Sequence, residues 1–287
     1  MTAAKLIGLG INLSMALMVF SVALSAPGER WRDILARPGL LARSLIAMFV
    51  VMPVVAVLLA KNFELNRALL VALLLLALSP VPPILPNKQL KAGGGASFVL
   101  GLLVVAALAS IVIAPVGADL IARLFGRELD VPFAPIARVV GISVLLPVLL
   151  GLVVARVAPA FGAKAAGPLS KFAAVLLLVS FLPALWAAWD GIAAQMTNFT
   201  VLAIAIFVAI GLLTGHLLGG PDDEDRTALA LATATRHPGV AIAVLHAIGP
   251  VDPGVVPVVV LYLLVGMVAA APYVAWRKRA HAAAKSG

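Results

Sequence analysis

The sequence predicts an all-α, polytopic membrane protein with about nine transmembrane helices, and three observations lead to that fold class. Of the 287 residues, 63% are hydrophobic and 11% carry a formal charge, whereas soluble domains are roughly 45–50% apolar and about 25% charged. The apolar residues form nine stretches, each close to the roughly 20 residues that a membrane-spanning helix needs. Two of these stretches are interrupted by proline.

Nine helices use most of the chain, so residues 1–287 are expected to form a single integral membrane unit. The net charge is +9, but the basic residues lie in short loops between apolar stretches rather than on one face. Nucleic-acid binding is therefore not expected. The absence of cysteine excludes thiol catalysis and thiolate metal sites, and no cofactor is expected.

The apolar segments follow one another with short connections. The first carries only Lys5 before it and is longer than the core of a usual signal peptide. A cleaved leader ending near Ser25 remains the alternative for this segment. In chain order the predicted segments are 5–25, 39–60, 67 to a proline cluster at 80–86, 97–125, 133–158, 168–189, 199–219, 222–247 and 254–276.

The third and eighth segments are predicted to be discontinuous helices, within residues 67–94 and 222–248. Proline lacks a backbone N–H and clashes with the preceding turn. Four prolines at 80, 82, 83 and 86 break the third segment, and Pro238-Gly239 breaks the eighth. Irregular backbone is tolerated in a membrane only where it lines a cavity or is packed in protein. A pair of broken helices is therefore the best sequence indicator of a transporter binding site.

The two broken segments also predict an inverted repeat. Arg67 begins an Ala/Leu-rich run that reaches Pro80 thirteen residues later, and Arg226 begins a similar run that reaches Pro238 twelve residues later. The segments are five apart, which gives them opposite orientations in the membrane, as an inverted repeat requires.

The distribution of lysine and arginine predicts the orientation. Fourteen of the 21 basic residues lie on the side that also carries the C-terminus, and six lie on the other side. The positive-inside rule places the larger group in the cytoplasm. We therefore expect a multi-pass protein of the cell (inner) membrane with its N-terminus outside and its C-terminus in the cytoplasm.

Arg236 and His237 are the leading site candidates, because they are the only basic residues in the apolar stretch before the second break. A charge at mid-membrane costs at least about 2.5 kcal/mol and usually marks a pathway or a partner. Arg236 could bind an anion, or it could pair with a backbone carbonyl at the break, or lie nearer the interface. His237 could couple transport to protons, or it could be a neutral residue that satisfies freed backbone groups.

Three polar residues complete the predicted substrate-binding site. Asn87 could contact an ion or substrate, or cap the following half-helix. Thr233 and Thr235 could offer hydroxyl groups, although threonine in membrane helices commonly bonds to its own backbone. The sequence contains no catalytic or phosphate-binding motif, so an enzyme is not expected.

Several stretches resemble the bile acid:sodium symporter family. They are residues 13–20 (Leu-Ser-Met-Ala-Leu-Met-Val-Phe), residues 31–39 (Trp-Arg-Asp-Ile-Leu-Ala-Arg-Pro-Gly), Met52-Pro53, the broken third segment ending at Asn87, and residues 226–239. The resemblance implies a panel domain and a core domain whose two discontinuous helices cross near the middle of the bilayer. It also implies bile acids or other organic anions as substrates, usually driven by sodium. Bacterial members have ten spans, so the resemblance implies that the first of them is missing here and that nine remain.

The family's sodium ligands are largely missing. Its first broken helix carries Gly-Gly-x-x-Ser-Asn, of which this chain keeps only Asn87, with Pro86 at the serine position. Its second carries Glu and then Gln-Asn, where this chain has Ala232 and then Arg236-His237. Sodium is possible by family, but these residues do not support it.

The sequence therefore predicts a secondary transporter of organic anions whose partners are the lipid bilayer and a small organic anion; it assigns no oligomeric state. Two alternatives remain. A membrane sensor that binds a ligand without transport is compatible with the missing ion ligands. A channel would need a continuous polar stripe, which the segments do not show.

Overall fold

A computed structural model describes residues 3–25, 30–124, 130–248 and 252–286, which are almost entirely helical and contain no strand. Over these residues the α-helices are α1 Ala3–Leu24, α2 Pro38–Ile46, α3 Met52–Asn62, α4 Arg67–Leu78, α5 Leu85–Lys91, α6 Ala96–Leu124, α7 Phe133–Val140, α8 Leu146–Val157, α9 Pro159–Ala187, α10 Trp189–Gln195, α11 Asn198–Leu218, α12 Asp223–Ala234, α13 Pro238–Ala247 and α14 Val255–Ser286.

The predicted fold class is confirmed, since eight helical stretches of the described chain are long and apolar enough to span a membrane. Two of them contain a π-helical turn, at Ala47–Val51 between α2 and α3 and at Gly141–Leu145 between α7 and α8. The third predicted segment is not among the eight, because its apolar helix α4 has only 12 residues, whereas the interrupted stretch from α12 to α13 is long enough to be included. The inverted repeat stays a prediction.

Two boundaries differ clearly from their predictions: α14 continues to Ser286 instead of ending near Trp276, and α9 begins at Pro159 rather than at Pro168. Proline fits the first turn of a helix, where its missing N–H is not needed. Instead Pro159 occupies the first turn, and Pro168 and Pro183 lie inside the helix.

Helices α1, α8 and α9 pack on one another at one side of the molecule. Only 11% of the most apolar window of α9 is buried, and Phe172, Leu178 and Trp186 are among its exposed side chains. An apolar helix that is exposed over most of its surface is suited to contact with lipid.

The two interrupted helices form the interior of the molecule. α4 packs against α13, and α5 packs against α12, so the first half of each interrupted helix lies against the second half of the other. Most residues of α4 and α12 are buried; those of α4 are all Ala or Leu, and those of α12 are Ala or Leu except for Asp225, Thr227 and Thr233. The interrupted helices therefore cross, as the resemblance implied.

A row of glycines brings α11 into backbone contact with α12. Gly211 and Gly215 lie four residues apart on α11, and Gly219 follows four residues later at its C-cap. A Cβ atom on Gly215 would lie 2.5 Å from the Cα atom of Ala230, and one on Gly219 would lie 2.5 Å from that of Arg226. Small residues at this spacing allow membrane helices to approach closely, and here they fix α12 against α11.

Candidate functional site at the helix crossover

The first break lies between α4 and α5. α4 ends at Leu78, and the prolines at 80, 82 and 83 prevent the helix from continuing to Leu85. Ser79 and Pro80 are buried, and the Ser79 hydroxyl donates a hydrogen bond of 2.8 Å to the Leu75 carbonyl within its own helix. The backbone carbonyls of Ser79 and Pro80 are the groups that this break offers to the rest of the protein.

The second break lies between α12 and α13. Thr235 and His237 have extended backbone conformations, and Pro238 then occupies the first turn of α13. The His237 Nδ1 atom accepts a hydrogen bond of 3.1 Å from the Gly239 N–H. His237 is therefore the N-cap of α13, and its side chain satisfies one of the N–H groups that a helix start leaves unpaired.

The two breaks bind each other directly. The His237 N–H donates to the Pro80 carbonyl at 2.9 Å, and Arg236 Nη1 donates to the Ser79 carbonyl at 3.2 Å. Backbone groups freed by one break thus find partners in the other, which is how irregular backbone becomes compatible with a membrane interior.

Arg236 is completely enclosed, with 0% of its surface exposed. Its Nη2 atom donates to the Met48 carbonyl at 2.5 Å, which lies in the π-helical turn between α2 and α3. Pro53 contributes no N–H to this part of the helix, so a carbonyl one turn earlier is available to a side chain. The guanidinium also lies 6.0 Å from the centre of the Phe49 ring.

The charge of Arg236 has no acidic partner in the described part of the chain, where none of the ion pairs involves this residue. Its Nε atom is buried without a hydrogen-bond partner. The sequence left several roles open for Arg236, and the observed contacts correspond to one of them, an arginine paired with backbone carbonyls. The positive charge itself is not neutralised by any of them.

Tyr262, on α14, completes the second break, because its hydroxyl donates a hydrogen bond of 2.6 Å to the Ala234 carbonyl at the end of α12. The side chain is buried and its ring contacts Phe207 edge-on. α14 therefore holds the end of α12 in place.

His237 is connected to the second π-helical turn. Its Nε2 atom lies 3.2 Å from the Ser143 hydroxyl, which donates to the Val139 carbonyl at 2.7 Å. The hydroxyl proton is used in that second bond, and Nδ1 already accepts from Gly239. These bonds therefore fit a neutral imidazole with its proton on Nε2.

The predicted site residues fall into two groups. Arg236, His237 and Thr233 are buried, and the Thr233 hydroxyl has no hydrogen-bond partner among the described residues. Asn87 and Thr235 are partly exposed. The structure joins Arg236 and His237 to the first break through backbone carbonyls, while Asn87 lies one turn into α5, beyond that break.

Lys88, the neighbour of Asn87 in α5, is partly exposed. Its charge lies near that of Lys278, which belongs to the basic C-terminal part of α14.

Sequence reasoning missed the partners that hold the breaks. Met48 and Ser143 belong to the π-helical turns, and Tyr262 is a single aromatic residue in a long apolar helix. Pro53 and Pro147, just after the two turns, were available signals, because proline favours local departures from the α-helical pattern. The four-residue spacing of glycines in α11 was a further signal.

A helical membrane protein whose interior holds two interrupted helices in contact has the organisation of a secondary transporter. Residues 12–188, more than half of the chain, match the family model described as Sodium Bile acid symporter family. The chain belongs to this family, which confirms the resemblance seen in the sequence. The family consists of sodium-coupled transporters of bile acids and other organic anions, so this is a multi-pass protein of a lipid bilayer with a small-molecule substrate.

The family match includes the first break and both π-helical turns, and it ends before α12. No curated protein matches the chain. The second break, with Arg236 and His237, therefore has to be interpreted from its own geometry.

Proposed function

We propose that this protein is a secondary transporter of organic anions that works by alternating access. The observation that carries the proposal is Arg236, a buried cation at the contact between two interrupted helices that has no carboxylate partner among the described residues. A charge in this position is costly, and an anionic substrate would reduce the cost each time it binds.

The attraction acts over some distance, because the surroundings of Arg236 are poorly polarisable. At a separation of ~8 Å and an effective dielectric constant of about 20, a unit negative charge gains about 2 kcal/mol from the guanidinium. The substrate therefore does not need to touch Arg236, which is enclosed in this conformation.

The residues proposed to contact the anion are Asn87 and Thr235, because they are the predicted site residues that are partly exposed. Arg236 supplies the positive charge behind them. His237 caps α13, and the Thr233 hydroxyl, which is buried without a partner, gains one when the crossover rearranges during transport. These roles give every predicted site residue a place in one mechanism.

The proposed location is the cell (inner) membrane, with the N-terminus outside and the C-terminus in the cytoplasm. Residues 1–287 act as one transport unit in this proposal. Helices α1, α8 and α9 form the part against which the crossover region moves, and no chemical reaction on the substrate is involved.

The test is uptake of amphipathic organic anions, bile acids included, into proteoliposomes that contain the purified full-length protein. Asn87→Ala and Thr235→Ala are expected to lower uptake of the preferred anion at least tenfold. The matched controls are Asn62→Ala, at the exposed end of α3, and Thr214→Ala on α11, which should leave uptake unchanged. Specific binding of an anion without any uptake would instead identify a sensor, and would contradict the proposal.

A further inference from the structure

The guanidinium of Arg236 binds the kind of oxygen atoms that usually hold a coupling cation. In transporters with discontinuous helices, unwound backbone carbonyls and the C-terminal ends of half-helices coordinate sodium ions or protons. Ser79 is the C-cap of the half-helix α4, where the helix dipole is negative. Its carbonyl and that of Met48 both accept hydrogen bonds from Arg236.

We propose that Arg236 is a tethered cation that takes the position of a coupling ion at the crossover, so that this protein transports its anion without sodium bound there. The inference rests on the proposed function, and it names how that function is driven. The protein would then be an exception, within its family, to sodium coupling at this position.

Charge and space both favour this assignment. A sodium ion on the same carbonyls would lie within ~5 Å of the guanidinium, and at an effective dielectric constant of about 20 the repulsion is about 3 kcal/mol. No carboxylate of the described residues pairs with Arg236 to offset a second positive charge. The arginine also fills the space, since it is fully enclosed.

A tethered cation has a consequence for energetics. The guanidinium remains with the protein, so each cycle moves the charge of the anion with no accompanying sodium charge. Uptake of a monovalent anion then becomes electrogenic and is favoured by an inside-positive potential. Its accumulation at equilibrium changes about tenfold for each ~60 mV.

The first experiment measures cation binding without any transport. Thermal unfolding of the purified full-length protein is followed in sodium, potassium and choline chloride at one ionic strength. The wild-type protein and Arg236→Lys, which keeps a tethered cation, are expected to show the same melting temperature in all three salts. Arg236→Gln removes the charge, and is expected to be stabilised specifically by sodium through mass action. Arg67→Gln, at the far end of α4, is the matched control and should behave as wild type.

A sodium-specific rise in the melting temperature of the wild-type protein would overturn the inference. So would an Arg236→Gln protein that folds and ignores sodium, because the carbonyls would then not form a cation position. If Arg236→Gln does not fold, the sodium titration of the wild type and of Arg236→Lys still decides the question.

The second experiment measures anion uptake by the wild-type protein in sodium or choline, with the membrane potential set by a potassium gradient and a potassium ionophore. Equal uptake in both salts and stimulation by an inside-positive potential are expected. Uptake that saturates with sodium would overturn the inference and leave the proposed function intact. Absence of uptake for every anion would contradict the proposed function, while the unfolding experiment would still test the cation position.

Discussion

The two breaks at the crossover are built from opposite chemistry. The first, rich in proline, presents the carbonyls of Ser79 and Pro80 and contains no charged side chain. The second presents donors, namely the guanidinium of Arg236 and the N–H of His237. Proline cannot donate a backbone hydrogen bond, so the first break depends on the second for its partners. The two breaks are therefore not equivalent: one segment supplies mainly hydrogen-bond acceptors to the crossover, and the other supplies the donors.

Arg236→Ala is expected to have the largest effect on the contact between the two breaks. It leaves the buried carbonyls of Ser79 and Met48 without their side-chain donor, at about 1–3 kcal/mol each. Relief from burying a charge offsets part of this cost, and a net loss of roughly 2 kcal/mol is expected. Anion uptake should fall by at least tenfold, because the positive charge is gone. Uptake and melting temperature should be measured on the same preparation, and unchanged uptake would remove Arg236 from the mechanism.

Tyr262→Phe removes the donor that α14 supplies to the second break. The Ala234 carbonyl is then buried without the phenol, and the expected loss of stability is about 1 kcal/mol. Tyr273→Phe is the control, since its hydroxyl bonds to His216 and to the Arg226 carbonyl in the first turn of α12, away from the crossover, and only Tyr262→Phe should lower uptake. Equal uptake in the two variants would show that the end of α12 does not need this support.

Substitutions of His237 test whether its imidazole acts as the N-cap of α13 at the second break. His237→Ala should lose about 1 kcal/mol, the usual value of an N-cap, whereas His237→Asn should retain most of it because asparagine is a strong N-cap. The hydrogen bonds of His237 fit a neutral ring, so His237→Asn should not change the pH dependence of uptake between about pH 6 and 8. A pH profile that flattens in His237→Asn would assign a proton-coupling role to the imidazole.

Ser79→Ala tests the first break, which supplies the hydrogen-bond acceptors, and has the smallest expected effect. The hydroxyl bonds only to Leu75 within its own helix, while the carbonyl that binds Arg236 is present in any residue. Stability should change by less than about 0.5 kcal/mol, and uptake should be unchanged. A large loss of uptake would show that the hydroxyl contributes to the site directly.

The sequence was sufficient for the class of fold and for the position of both breaks. Apolar stretches of spanning length follow from hydrophobicity alone, and proline removes backbone hydrogen bonds wherever it stands. The family resemblance then supplied the crossing of the interrupted helices. These features are local or familial, which is why they could be predicted without coordinates.

The partners of Arg236 could not be predicted in the same way. Met48 lies 188 residues from Arg236 in the chain, and Ser79 lies 157 residues away. Backbone carbonyls are common to all residues, so no sequence pattern identifies the ones that accept a particular bond. The participation of the π-helical turns depends on how the turn at Ala47–Val51 and helix α7 pack against the interrupted helices, which only the three-dimensional arrangement specifies.

The glycine row of α11 has a consequence for motion. With backbone against backbone at Gly211, Gly215 and Gly219, there is no layer of flexible side chains along which α11 and α12 could slide. Helices α11 and α12 are therefore expected to move as one rigid unit. Any tilt of α12 that opens the second break toward one side of the membrane then moves the whole of α11 as well.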